Sequence, residues 1–568
     1  MYRRSDVTRA GTRVVGRLRA ACRLFLTGIP LILAEANLAA ASEPGRYFKI
    51  QVVDGQTGRG VPLVELRTTS NVRYLTDSNG IVAFFEPGLM DRQVFFFVQS
   101  HGYEFPKDGF GMAGKMLDVK PGGSAQIKIK RKNIAERLYR ITGAGIYRDS
   151  VLLGEKVPIR QPLLNGQVTG QDSVLAVPYR TRIYWSWGDT NRARYPLGLF
   201  KTSGATSQLP GKGGLDPSAG VDLDYFVDKE GFSRAMCPIA GPGVVWIDGV
   251  LTVRDAEGRE RLVCHYDRRK GLAESLEHGL ALYNDQAEVF EKHVQFDLTD
   301  RWRCPRAHPI RVAGGTGILP VRVSSIGETP MPPGSPVPPA PTRVQDGGAG
   351  YFLFPTPFAT VRVKAELSEL AKQTSYEAFT CLVPGSRFDK SAAQVERNAQ
   401  GKLVYTWKPG TDPITQAQER RLIAAGKIKP EEARYQVRDV DTQKPVELHS
   451  GTIQWNGYRK RWIMIAVQSG GSSSYLGEVW FLEADAPTGP WRWARKIVTH
   501  DKYTFYNPAH HPFLDQQGGR IIYFEGTYAN TFSGNPDATP WYDYNQVMYR
   551  LDLADPRLRQ PLGPQAPQ

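Results

Sequence analysis

The residues of this chain best suited to chemistry are acids, histidines and aromatics at the ends of short apolar runs: Asp172, Trp187, Asp189, His265, Asp267, His449, Gln468, Tyr506, Asn507, His510, His511, Glu525 and Tyr528. Carboxyl groups set the chemistry such a set could do. Hydrolysis of a glycosidic bond with inversion needs two of them on opposite sides of a sugar, roughly 6.5 to 9.5 Å apart so that a water fits. One must hold its proton. Trp187, Tyr506 and Tyr528 add ring faces for sugar stacking, although aromatics of this kind also fill cores. Asp189 before Thr190 and Glu525 before Gly526 could equally tie turns through their side-chain oxygens. A metal-dependent hydrolase would need His265, His449 and His510 to converge. Adjacent residues of a strand point to opposite faces, so at most one of His510 and His511 can join such a cluster, and neither a metal nor another cofactor is expected. His101 and Glu104 form an HxxE pair, but no third zinc ligand goes with them. The chain carries no nucleophile elbow, phosphate loop or dinucleotide fingerprint, which disfavours acyl transfer, nucleotide and redox chemistry.

Two stretches of short strands must position these residues. Residues 47–131 alternate apolar and polar positions between turn signals: Phe48 to Val53, Val61 to Arg67, Ile81 to Phe85, Val94 to Gln99 and Ala125 to Lys130, with Asp54-Gly55 and Asn79-Gly80 among the turns. That punctuation predicts a β-sandwich. From about residue 143 to 553 a larger unit repeats an apolar strand, a tight turn and a second strand with a polar or aromatic end. Five such beginnings are visible. They are Asp172 to Leu175 with Arg182 to Trp187, Gly243 to Ile247 with Arg261 to Tyr266, Gly350 to Phe354, Gly451 to Trp455 with Arg461 to Val467, and Asn507 to Leu514 with Arg520 to Phe524. The expectation is an all-β chain, a sandwich followed by a five-bladed β-propeller, in which second-strand ends and first-strand starts share one face. Residues 312–347, rich in Pro, Gly and Ser, read as a disordered insertion between blades, and residues 386–445 as a partly helical surface excursion.

The string "VVDGQTGRGVPLVELRT" followed by "YLTDSNGIVAFFEPG" resembles the transthyretin-like regulatory domain found on carboxypeptidases and many secreted enzymes. That resemblance implies a folding or docking module able to engage a protein partner. "GQDSVLAVPYRTRIYWSWGDT" resembles the opening blade of five-bladed glycoside hydrolases of the arabinanase and β-xylosidase type, and "GEVWFLEADAPTGPWRWARKIV" their outer-strand phrase. The resemblance implies a general base at Asp172, the acid that begins the inner strand. Those enzymes place their acid, a Glu, at the start of a later inner strand, where this chain has His449-Ser450-Gly451. Glu525, in "YFEGTY", is therefore assigned as the acid, with Asp189 as the carboxylate that raises its pKa by like-charge repulsion. Trp187, His265, Asp267, His449, Gln468, Tyr506, Asn507, His510 and Tyr528 are assigned to substrate. The implied ligand is a polysaccharide or oligosaccharide. The same scaffold without an acid would be a carbohydrate-binding or assembly component.

Composition narrows the setting. Seven arginines, an apolar run from Leu24 to Ala34 and Ala39-Ala40-Ala41 give residues 1–41 the order of a secretory signal, with a run too short to span a bilayer. An exported protein without stable membrane insertion is expected, periplasmic or extracellular. Without that segment the net charge falls from +15 to about +10, and no Lys/Arg cluster interleaves with aromatics, so nucleic acid is not an expected partner while an acidic polymer remains open. Cys237, Cys264, Cys304 and Cys381 show no CxxC spacing and leave up to two disulfides or free buried thiols open.

Overall fold

Wherever the sequence alternates, the backbone extends. In Arg92–Gln99 the side chains of Val94, Phe96 and Val98 are buried while Phe95 and Phe97 between them are partly exposed, the period-two pattern of a half-buried strand. The computed structural model describes residues 44–199, 201–313 and 350–561. The expected export signal (1–41) and nearly all of the expected insertion (312–347) lie outside the described residues. The chain divides into two units, Met1–Ser42 and Glu43–Gln568, and the second holds every element below. It is all-β with few helices, and among the described residues no helix is long and apolar enough to cross a membrane.

Two four-stranded sheets come first. One orders its strands Ile81–Phe84, Phe48–Asp54, Ser124–Arg131 and Tyr103–Glu104, the other Arg73–Leu75, Glu65–Thr68, Arg92–Gln99 and Gly114–Val119. Ile50, Val52, Leu66, Phe84, Phe96 and Ile127 form their shared core. The strand expected from Val61 begins only at Glu65, because Pro62 lacks an N–H to pair and Leu63 takes a positive φ of 64°.

Five sheets of four or five strands follow. Sheet I comprises Val174–Tyr179, Arg182–Trp187, Ser203–Gln208 and Asp224–Tyr225, and sheet II Val244–Arg254, Glu260–Lys270, Glu274–Asn284 and Val289–Phe296. Sheet III runs Ile310–Val312, Tyr351–Pro355, Ala359–Lys364, Glu377–Thr380 and Thr406–Pro409. Sheet IV holds Leu448–Asn456, Arg461–Gln468, Val479–Ala484 and Trp493–Val498, with Arg438–Asp439 parallel to the last. Sheet V holds Thr504–His510, Ile521–Ala529 and Asn545–Asp552, and its outer strand is Glu136–Arg140, from the other end of the unit. Val174–Tyr179 packs on Val244–Arg254, Tyr351–Pro355 on Leu448–Asn456, and Thr504–His510 on both Leu448–Asn456 and Val174–Tyr179. Sheets II and III meet through Leu251, Val253, Phe352 and Phe354. Between the sheets lie fully buried rings such as Trp185, Trp462 and Trp491, each side chain of this size contributing about 1.5–3 kcal/mol by leaving water.

Two expectations change. Ile310 pairs with Leu353 and Val312 with Tyr351, so the segment between them joins two antiparallel strands of one sheet and does not link separate sheets. The helical stretch is more than a surface feature. Its helix Gln416–Ala424, opened by a Thr415/Gln418 capping box, buries Leu422 and Glu419 completely. Glu419 accepts the N–H groups of Arg434 (2.7 Å) and Tyr435 (2.9 Å) and the Tyr405 hydroxyl (2.8 Å), which removes the penalty of burying its charge unpaired.

Strand Glu136–Arg140 also ties the first two sheets to sheet V. Its buried Arg137 donates to the His101 carbonyl (3.2 Å) and to Ser100 Oγ (2.5 Å), and lies over the Tyr103 ring. Truncation at Arg137 leaves these acceptors buried without a donor. Arg137→Ala is expected to destabilise the protein by about 2–3 kcal/mol, read as a lower urea midpoint; an unchanged midpoint would refute the role.

Candidate functional site

Where the first strands meet, they enclose a cavity of about 480 Å3. Sheet I contributes Asp172, Ser173 and Asp189 at the ends of its first two strands, sheet II Trp246, Asp248, His265 and Asp267, sheet III Thr356, sheet IV His449 and Ser450, and sheet V Asn507. All five sheets reach it.

Asp172 and Asp189 are locked to each other through the backbone. Asp172 N–H donates to the Asp189 carbonyl and Gly188 N–H to the Asp172 carbonyl, each at 2.9 Å. Burial raises the Asp172 carboxyl above its ordinary range, against hydrogen bonds from Ser173, Tyr506 and Tyr544 that favour the ionised form. Asp189 is pushed up to about 6, first by burial; the Trp246 indole N–H, 2.8 Å from Oδ1, opposes this and the Asp172 charge adds to it. Burial thus raises both of these adjoining carboxyls on one wall, against different sets of hydrogen-bond donors. Asp248, on the neighbouring wall, is also raised by burial, although its Oδ1 accepts Ala307 N–H at 2.6 Å and the Arg306 charge opposes.

A line of polar contacts crosses three sheets. Ser173 Oγ donates to Asp172 Oδ1 (2.6 Å) and accepts from Asn507 Nδ2 (2.5 Å), Asn507 Oδ1 accepts from Ser450 Oγ (2.8 Å), and Ser450 Oγ lies 3.1 Å from His449 Nδ1. Ser173 and Asn507 have positive φ, 31° and 50°. Asn507 lies at a register shift between Tyr506 and Ala509, and such strained, bulged backbone persists where surrounding contacts over-determine it. These contacts do so.

Of the residues assigned from sequence, Asp172, Asp189, His265, Asp267, His449 and Asn507 line the cavity. His265 is buried, hydrogen-bonded to the Tyr376 hydroxyl (2.8 Å) and pushed down to about 3 by burial, so it is a neutral wall group. The others are elsewhere. Glu525 is fully buried, 2.7 Å from His511 Nε2, and burial alone raises its pKa well above the ordinary value. It cannot touch a substrate in the cavity, and Asp189 is not what raises it. Trp187 is enclosed between Trp185 and Tyr225, Tyr528 bonds His101 (3.0 Å) and Thr539 (3.2 Å) in the core, Gln468 accepts from Trp480 (3.0 Å), and His510 pairs with Asp515 (2.8 Å). Tyr506 is buried behind Asp172 as a hydrogen-bond partner. With His510 so placed, the convergence with His265 and His449 that a metal-dependent hydrolase requires is not met, and the described residues hold no group of three metal-binding side chains. His101 bonds Tyr528 and Glu104 pairs with Lys130 and Lys132, so the HxxE spacing is not a site. Among the described residues the four cysteines are free and buried.

Residues that the sequence did not single out are Ser173, Trp246, Asp248, Ser450, Tyr544 and the basic side Arg301 and Arg306. Ser173 and Ser450 adjoin Asp172 and His449, a signal that was available. Nothing local marks Arg301, in a polar turn, or Tyr544, distant in sequence.

No protein-family model matches the chain, and no curated protein matches it. Among solved structures it is similar to an exo-β-1,3-galactanase from Phanerochaete chrysosporium solved with β-1,3-galactotriose (10% identity, 69% of this chain and 65% of that one, TM-score 0.31). It is also similar to an exo-1,5-α-L-arabinanase from a bovine ruminal metagenomic library (8% identity, 67% and 93%, TM-score 0.30). The chain thus spans slightly less than two thirds of the first. Likenesses this low carry no argument, and the site stands on its own residues.

The coupling of Asp172 to Asp189 is measurable through Trp246. Trp246 emission is expected to titrate with a midpoint near 6, to lose that step in Asp189→Asn, and to shift to lower pH in Asp172→Asn, because removing a neighbouring negative charge eases ionisation of Asp189. An unshifted midpoint in Asp172→Asn would show the two carboxyls to be independent.

Proposed function

We propose that this is an exported, glycoside-hydrolase-like protein that binds an extracellular polysaccharide and cleaves a glycosidic bond. In this reading sheets I to V are the blades of a five-bladed propeller, and the two N-terminal sheets are a transthyretin-like sandwich that could dock a protein partner. Asp172 is the base and Asp189 the acid, with Asp189 taking the role first assigned to Glu525. The observation that carries the reading is the pair of adjoining carboxyls on the wall of a cavity large enough for sugar residues, one held near pH 6. A general acid works best when its pKa lies near the working pH.

Asp172 suits the base. Hydroxyls from Ser173, Tyr506 and Tyr544 oppose the burial that raises its carboxyl, and in its ionised form it accepts a proton from a water. Asp189 delivers its proton to the departing oxygen. The inverting course expected from sequence needs acid and base on opposite faces of the ring, an arrangement that two adjoining carboxyls on one wall do not by themselves supply.

One observation favours a second reading, binding without turnover. Every cavity carboxyl already has a protein donor: Ser173 on Asp172, Trp246 on Asp189, Ala307 on Asp248 and Arg306 on Asp267. Such carboxyls could orient sugar hydroxyls and do nothing more.

Incubation of the mature chain with a panel of plant and algal polysaccharides separates the two. Asp172→Asn and Asp189→Asn are each expected to lower sugar release by at least about 100-fold, the usual scale for loss of an acid or base, with a fall in kcat rather than a rise in KM. Saturable binding without release in the unsubstituted protein would establish the second reading, and absence of both would refute the proposal.

A further inference from the structure

The cavity holds both signs of charge. Asp172 and Asp189 line it from sheet I, Arg301 and Arg306 line it as well, and Arg306 together with Arg269 behind the wall pairs with a single carboxylate, Asp267. Asp267 is saturated. Its Oδ2 takes Arg269 at 3.2 Å and Arg306 at 2.8 Å, and its Oδ1 takes the Ser275 hydroxyl. Arg269 spends its other contacts on the Leu272 carbonyl and the Trp246 ring, its Nε is buried without a partner, and it stands behind the wall. Arg301 and Arg306 line the cavity and are exposed. Among the described residues Arg301 has no carboxylate within ion-pairing distance.

Burial lowers Arg269 from its ordinary value; the Asp267 charge opposes this, and the Arg306 and Arg301 charges add to it. Asp248 lies near Arg306, and burial raises that carboxyl above its ordinary range. Like charges gathered in a partly desolvated wall cost stability unless something answers them. Arginine offers planar paired donors that match an oxyanion.

We infer that the Arg301/Arg306 side of the cavity is a subsite for an oxyanion carried by the sugar, a uronate carboxylate or a sulfate ester, so that the ligand is an acidic glycan. The inference rests on the glycan reading above and narrows it. The positive formal charge that remains without the N-terminal 41 residues acts in the same direction, since it steers anionic polymers toward the surface.

Isothermal titration of the mature chain with oligogalacturonides, sulfated galactan oligosaccharides and neutral galactan oligosaccharides of equal length tests this. One acidic series is expected to bind at least tenfold more tightly than the neutral series, and which one does so identifies the oxyanion. That preference should weaken as salt rises from 50 to 300 mM. Arg301→Gln should reduce it about tenfold and Arg301→Glu should abolish it; Arg301 is exposed, so neither variant threatens the fold. Equal binding of acidic and neutral series, or a preference untouched in Arg301→Glu, overturns the inference and leaves the glycan reading standing. Failure of all three series to bind overturns both.

Discussion

The pairing on which the rest of this structure depends joins Glu136–Arg140 to Asn545–Asp552, with Val547 opposite Arg140 and Met548 opposite Tyr139. It fastens the beginning of the large unit to its end. Closing a loop of some four hundred residues costs chain entropy that grows only slowly with length, and the return is a complete outer strand on sheet V plus the Glu136–Arg550 ion pair at its edge. Without that strand Asn545–Asp552 would be an open edge, and Thr504–His510 would lose the support that holds it against sheets I and IV.

That mechanical constraint reaches the cavity directly. Asn507 and Tyr506 belong to Thr504–His510, and Ser173, held by Asn507, also donates its N–H to the Thr527 hydroxyl oxygen (2.9 Å). Thr527 and Tyr528 lie on the strand next to Asn545–Asp552. The position of the Asp172 carboxyl is therefore set by sheet V as much as by its own strand. The polar line from His449 to Asp172 converts the packing of three sheets into the placement of one acid.

The cavity divides its labour by charge. Burial with hydroxyl and indole donors surrounds Asp172 and Asp189, whereas Arg306 pairs with Asp267 and Arg301 lines the same cavity. Glu525 and His511 form a separate buried pair with mutual hydrogen bonding, structural in position despite their chemistry-bearing types.

Sequence alone determined what depends on neighbours along the chain. Period-two alternation marked strands such as Phe48–Asp54 and Arg182–Trp187, tight turns marked hairpins, and an all-β chain followed from both. Residues beginning first strands or ending second ones, such as Asp172 and Asp189, were legible for the same reason. Tertiary structure decided the rest, because cavity membership depends on which strand ends meet across sheets and on how deeply each side chain sinks. The sequence set Glu525 and Asp189 alike just past a second strand, yet Ile521–Ala529 runs on through Glu525, which is sealed against His511, while Asp189 follows Arg182–Trp187 and faces a cavity. Arg301, in a turn with no motif, gained its role only when Asp267 and Arg306 were folded beside it. Alternation is a local property of a backbone, whereas desolvation and charge balance are sums over groups that the sequence keeps far apart.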